Sequence, residues 1–150
     1  MNTALIGVLG ALAGTIVGSL LTQFLQRRNS TIARLHEARI DAYRTFAVSA
    51  MDFRAAQMER WFARSAGNAD LVGNQVYSNR SRTWAAYYQI VLLAHQPEVV
   101  KRAEEARDLI SSLKDATSRE ELNSLGEACR EAVGRFADTA RREVAASLRA

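Results

Sequence analysis

No histidine, cysteine or carboxylate in this 150-residue sequence occurs in a recognisable catalytic pattern. His36 and His95 are the only histidines, and neither lies in a His-Glu-x-x-His zinc motif. The single cysteine, Cys129, would need a neighbouring base to act as a nucleophile, and the sequence indicates none. We therefore expect structural roles for His95 and Cys129, both on the apolar faces of helices.

Paired carboxylates also lack the spacing of a reactive centre. Glu104-Glu105 and Glu120-Glu121 lie close to arginines, which favours solvated ion pairs. A di-metal helical bundle needs Glu-x-x-His motifs, and the sequence contains none, nor any glycine-rich phosphate loop. The sequence therefore predicts no enzyme activity, no cofactor, no metal site and no small-molecule substrate.

The feature that stands out is an uncharged run from Thr3 to Leu25. As a helix it would be about 34 Å long, which is enough to cross a hydrocarbon core of about 30 Å. A cleavable signal peptide is the alternative, but no charged side chain precedes the run and no small-residue cleavage site follows it. We expect residues 1–28 to form a retained transmembrane anchor.

Four glycines give this run a possible means of self-association. Gly7, Gly10, Gly14 and Gly18 all fall within about 40° of the centre of one helical face. Small residues on one face let two membrane helices approach closely. This glycine stripe predicts a homo-oligomer or pairing with a partner membrane protein.

The distribution of charge predicts the orientation of the anchor. Arginines outnumber acidic residues directly after the apolar run, and positive residues stay on the cytoplasmic side. We therefore expect a single-pass protein of the inner (cytoplasmic) membrane, with its N-terminus outside and its C-terminal domain in the cytoplasm. Arg27, Arg28 and Arg34 are expected to contact lipid headgroups. Lipid contact accounts for the excess of positive charge, so we expect no nucleic-acid partner.

Helical periodicity dominates residues 29–150, which we predict to be a cytoplasmic bundle. The pattern predicts helices over residues 30–65, from 71 or 76 to 96, over 98–115, and from a capping box at Thr117 or Ser118 to the end. Pro97 suits the first position of the third helix. The fold class is therefore all-α, with one N-terminal transmembrane helix followed by an antiparallel bundle of about four helices.

Each helix carries an apolar stripe that is expected to face the core. The predicted inward residues are Ile32, Leu35, Ala42, Phe46, Ala50, Phe53 and Trp61; Tyr77, Trp84, Tyr88, Val91 and His95; Val99, Ala103, Ala106, Ile110 and Leu113; and Leu122, Leu125, Cys129, Val133, Phe136, Ala140 and Val144. An alternative for the aromatic stripe of the second helix is an exposed surface that binds a partner.

Three segments carry a resemblance: the glycine-striped anchor, Leu35-His36-Glu37-Ala38-Arg39-Ile40-Asp41-Ala42-Tyr43-Arg44-Thr45-Phe46, and Gln96-Pro97-Glu98-Val99-Val100. Together they resemble small, functionally unassigned, membrane-anchored helical proteins of high-GC Gram-positive bacteria and their mobile elements. The resemblance implies no activity and no site residues.

These observations favour a bundle that serves as an interaction or scaffolding module, held at the membrane and assembled by its glycine stripe. The alternative is a membrane-perturbing effector, holin-like or acting in phage defence, whose clustered helices open the bilayer. The expected partners are the lipid bilayer and either further copies of the chain or another membrane protein.

Overall fold

The computed structural model describes the backbone of residues 2–67 and 72–147, and side chains within residues 32–67 and 72–147. In these residues the secondary structure is helical, with α1 at Asn2–Ser65, α2 at Gly73–Leu93, α3 at Pro97–Ser112 and α4 at Arg119–Ser147. A 3-10 turn, Leu113–Asp115, continues α3. The chain divides into two compact units, Met1–Glu37 and Ala38–Ala150.

The second unit is the predicted helical bundle. Helices α1 and α4 are antiparallel, because Tyr43 of α1 contacts Glu143 of α4 and Arg54, later in α1, contacts Gly126, earlier in α4. Ser49 of α1 is likewise bonded to Thr83 of α2. The helices therefore alternate in direction, as short connections between packed helices require.

All four helices contribute buried residues to the core of the bundle. Phe46 and Phe136 are fully buried, with ring centroids 4.8 Å apart in an edge-to-face arrangement. All five predicted inward residues of α3 are buried. In α4, Leu125 and Val144 are partly buried and the other five are fully buried. These stripes are confirmed.

The predicted stripe of α1 holds only in part. Ala42, Phe46, Ala50 and Phe53 are buried, and Trp61 packs partly against the core. Ile32 and Leu35, in the first unit, are 58% and 51% exposed, so their assignment to the core was wrong.

The predicted inward face of α2 is wrong by one position around the helix. Tyr77, Tyr88 and Val91 are exposed, and Trp84 is only partly buried. The buried residues of α2 are instead Val76, Thr83, Ala86, Tyr87 and Ile90. The reason is close packing on α1, where the Thr83 hydroxyl donates to the Ser49 carbonyl at 2.9 Å. A bulky side chain at position 83 would hold the two backbones apart.

The C-terminus of α2 comes earlier than predicted. The helix ends at Leu93 rather than residue 96, and Ala94 is already extended. Gln96 is extended as well, as the residue before a proline prefers. His95 is consequently exposed in the connection, so its predicted place on a buried helical face was wrong. Pro97 is the first residue of α3, as predicted.

The start of α4 confirms the predicted capping box in a modified form. The backbone N–H of Glu121 donates to the Ser118 hydroxyl at 3.1 Å. The Glu121 carboxylate in turn accepts from the hydroxyl and backbone N–H of Thr117 at 2.7 and 2.8 Å. Hydrogen bonds from the Thr117 hydroxyl and then from the backbone lower the pKa of Glu121.

No helical stretch within the residues whose side chains are described is long and apolar enough to cross a bilayer. The predicted membrane segment, Thr3 to Leu25, lies outside these residues.

Candidate functional site

Most of the site residues predicted from the sequence fall where side chains are not described. Gly7, Gly10, Gly14 and Gly18 belong to this group, as do Arg27 and Arg28. Arg34 is described and lies exposed on α1. Its contact with lipid headgroups stays a prediction.

The candidate nucleophile is in an unreactive position. Cys129 is fully buried in α4, and burial raises the pKa of its thiol from 9.0 to about 11. The thiolate is therefore suppressed at neutral pH. Across the described ranges, no three His, Cys, Asp or Glu side chains are grouped so as to hold a metal ion.

The most densely connected polar group of the bundle is Glu143, which is only 2% exposed. Its Oε1 accepts a hydrogen bond from the Tyr43 hydroxyl at 2.6 Å and from the His95 backbone N–H at 3.2 Å. Its Oε2 accepts from the Gln96 backbone N–H at 2.7 Å. The carboxylate therefore joins α1, α4 and the α2–α3 connection.

Arg39 completes this network. Its Nε lies 3.5 Å from Glu143 Oε1 and donates to the Leu93 carbonyl at 2.8 Å. The arginine thus balances a buried charge and also satisfies a carbonyl at the last residue of α2, where no further turn of helix follows.

The electrostatics of the network favour a fixed, structural arrangement. Burial, and then the hydrogen bond to Glu143, raise the pKa of Tyr43 well above its usual value of 10. The phenol consequently remains a proton donor to the carboxylate throughout the neutral range. Both carboxylate oxygens are occupied by protein donors, so the network stabilises the fold and offers no free base.

Sequence reasoning missed Glu143, although a signal was present. The residue lies three positions after Ala140 and seven after Phe136, which places it on the apolar stripe of α4. A carboxylate at such a position indicates a buried partner.

The exposed side of α2 carries a continuous apolar surface, which we call the α2 stripe and define as Tyr88, Val91 and Leu92. These residues are spaced by three and four positions and so lie on one face of the helix. They are 57%, 44% and 82% exposed, respectively. A helix of a folded domain usually turns such residues inward, and a grouped apolar surface is typical of a binding site.

A second candidate site is a cavity of about 460 Å³ between α1, α2 and the end of α3. Its walls carry cationic, aromatic and polar side chains: Phe53, Gln57, Arg60, Val76, Tyr77, Arg80, Trp84, Asp108, Ser111 and Lys114. The guanidinium groups of Arg80 and Arg107 lie 5.2 and 5.1 Å from the centre of the Trp84 ring. These cation–π contacts hold the arginines in place.

No significant match was found among curated proteins or among solved structures. Residues 40–144, more than two thirds of the chain, match the model of a family described as KilB plasmid transfer protein. The matched range begins in α1 and ends in α4, so it covers most of the bundle, the α2 stripe, and Tyr43 and Glu143 of the buried network. The chain therefore belongs to the KilB plasmid transfer protein family.

Proposed function

We propose that this protein acts in plasmid transfer as a membrane-anchored interaction module, whose bundle binds another protein of the transfer apparatus. Membership of a plasmid transfer family supports the process. The bundle supports binding rather than catalysis, because its buried carboxylate is fully occupied and its thiol is held protonated.

The α2 stripe is the observation that carries this proposal. Leu92 is 82% exposed, and Tyr88 and Val91 extend the apolar surface along the same face. Burying apolar area yields about 25 cal/mol per Å², so covering such residues favours association with a second protein. Tyr88 is of a residue type that is common among the residues that dominate binding energy.

The anchor belongs to the same proposal. The apolar run from Thr3 to Leu25 would hold the bundle at the membrane, and the stripe of Gly10, Gly14 and Gly18 would bring copies together. Arg27, Arg28 and Arg34 would lie at the headgroups and keep the bundle on the cytoplasmic side.

The experiment is a mating assay in which the plasmid lacks its own copy of this gene and a variant is supplied from a second locus. We expect Leu92→Ser to reduce transfer and to abolish copurification of a transfer protein. The bundle should stay folded, since the substituted side chain is mostly in solvent. Phe62→Ser is the matched control, as Phe62 is 42% exposed near the far end of α1 and off the stripe.

The stripe has no part in binding if Leu92→Ser and Tyr88→Ser both transfer the plasmid as well as the wild type. The assembly claim has a separate test. Replacing Gly10, Gly14 and Gly18 by leucine should weaken self-association in a membrane two-hybrid assay. Unchanged association would remove that part of the proposal and leave the α2 stripe unaffected.

The competing hypothesis is the membrane-perturbing effector. A potential-sensitive dye separates the two during induction of the protein: an intact membrane potential supports the interaction module. Rapid depolarisation that persists in the Leu92→Ser variant would favour the effector instead.

A further inference from the structure

The cavity defined above contains an unsatisfied polar atom. Gln57 is 4% exposed, and its Oε1 is buried without a hydrogen-bond partner among the described residues. Leaving a buried amide oxygen unpaired costs roughly 1–3 kcal/mol. Gln57 lines the cavity, so rotation of its amide toward the cavity would let a molecule held there supply the missing donor.

The charge of the cavity walls indicates what kind of molecule this is. Arg60, Arg80 and Lys114 come from α1, α2 and the 3-10 turn, and none forms an ion pair with another described residue. The one acidic residue in the walls, Asp108, is paired with Arg107 at 2.7 Å. The site therefore presents three uncompensated positive charges and calls for an anion.

The volume of the cavity and its arginines indicate which class of anion it binds. A volume of about 460 Å³ is within the range of small-molecule pockets, which runs from about 300 to 1,000 Å³. The guanidinium fork of arginine matches phosphate oxygens, and several cations around one concavity suit a dianion better than a single carboxylate. Trp84 positions one of these forks, because Arg80 lies over its ring at 5.2 Å.

We propose that this cavity binds a small phosphate monoester that also carries O–H or N–H donors. Arg60, Arg80 and Lys114 bind the phosphate group, and Gln57 Oε1 accepts a hydrogen bond from the rest of the ligand. The sequence alone predicted no small-molecule ligand, because no phosphate-binding motif is present. The site is assembled from side chains far apart in the chain.

The test is calorimetric titration of the full-length protein, purified in mild detergent and phosphate-free buffer. The probes are AMP, ribose 5-phosphate, inorganic phosphate and uncharged adenosine. We expect the two monoesters to bind and adenosine to bind at least about tenfold more weakly, since charge-assisted hydrogen bonds are lost. A preference for AMP over ribose 5-phosphate would assign the natural ligand to nucleotides, and the reverse to sugar phosphates.

Two lysines provide a matched pair of variants. Lys114→Gln should weaken AMP binding about tenfold, whereas Lys101→Gln, an exposed residue of α3 outside the cavity, should leave it unchanged. Gln57→Leu should weaken binding too, and should raise the melting temperature of the unliganded protein because the orphaned acceptor is removed.

The proposal is overturned if neither monoester binds at millimolar concentration. It is overturned as well if the two lysine variants weaken binding equally, or if an acidic peptide binds at the cavity while both monoesters fail to do so. These results do not depend on plasmid transfer. Failure of the mating experiment would leave the ligand site in place, and failure here would leave the α2 stripe in place.

Discussion

Replacing Glu143 by glutamine is the sharpest test of how the bundle is held together. The carboxylate is 2% exposed and accepts hydrogen bonds from Tyr43, His95 and Gln96. Glutamine has nearly the same size, so the substitution changes hydrogen bonding and charge and leaves the packing volume almost untouched.

The expected cost follows from the geometry. An amide has one oxygen and one NH₂ group. The NH₂ group must therefore take the place of either Oε1 or Oε2 and face a protein donor there. If the NH₂ group replaces Oε2, the 2.7 Å hydrogen bond from Gln96 is lost. If it replaces Oε1, the hydrogen bonds from Tyr43 and His95 are lost. Arg39 also loses its counter-charge. Breaking a buried charged pair on one side costs about 3–5 kcal/mol, and we expect a loss of that size in the free energy of unfolding.

Urea unfolding of the full-length protein in mild detergent, followed by circular dichroism at the helix band, measures this loss. Glu131→Gln is the matched control on the same helix, because Glu131 is 71% exposed and lies 3.7 Å from Arg135. It should cost less than about 1 kcal/mol. Tyr43→Phe removes only the hydroxyl and should cost about 1.5–3 kcal/mol, which keeps the series measurable if Glu143→Gln is unfolded.

Equal losses for Glu143→Gln and Glu131→Gln would refute this reasoning. Such a result would mean that water reaches the carboxylate and replaces its protein donors.

Three further predictions concern stability. The free energy of unfolding should fall as pH rises from 9 to 11, because the raised pKa of Cys129 lets the unfolded chain ionise first. The Cys129 contribution over this range is about 2 kcal/mol and should be absent in Cys129→Ala, which keeps only the loss due to the raised pKa of Tyr43. Gly134→Ala should raise the free energy of unfolding by about 1 kcal/mol, the difference in helix propensity, since nothing lies within 4 Å of the new methyl group. Gly126→Ala should gain less, because its methyl group would lie 3.3 Å from α1 side chains. Thr83→Val should cost about 1 kcal/mol in urea unfolding by removing the bond to Ser49, and no loss would show that the bond is negligible.

The inward faces that could be predicted are those of the helices with one apolar face. In α3 and α4 the apolar residues recur at three and four positions and the other faces are charged, so only one orientation buries them. Every predicted inward residue of α3 is buried. The sequence pattern alone therefore fixes how such a helix is turned.

The orientation of α2 could not be predicted in this way because both of its faces are apolar. Tyr77, Trp84 and Tyr88 follow helical spacing as well as Val76, Tyr87 and Ile90 do. Bulk favours the aromatic set, yet the closeness of α1 requires the small residue Thr83 at the contact. Interhelical distance is a property of the packed bundle and is not encoded in the periodicity of one helix.

The candidate sites depend on contacts that are distant in sequence. Tyr43 and Glu143 are separated by 100 positions, so a polar residue on an apolar stripe indicates that a partner exists but does not identify it. The phosphate cavity needs Gln57, Arg80 and Lys114 to be brought together by three elements. No local motif could have revealed it.

The Glu143 network and the α2 stripe are structurally connected. Arg39 donates to the carbonyl of Leu93, the residue directly after Leu92, and Glu143 accepts hydrogen bonds from the backbone N–H groups of His95 and Gln96. The end of α2 is thereby fixed to α1 and α4. Because an exposed apolar helix end would otherwise gain by turning inward, this polar anchorage keeps the stripe at the surface. The buried charge thus has a positional role that a hydrophobic replacement of equal stability would not supply.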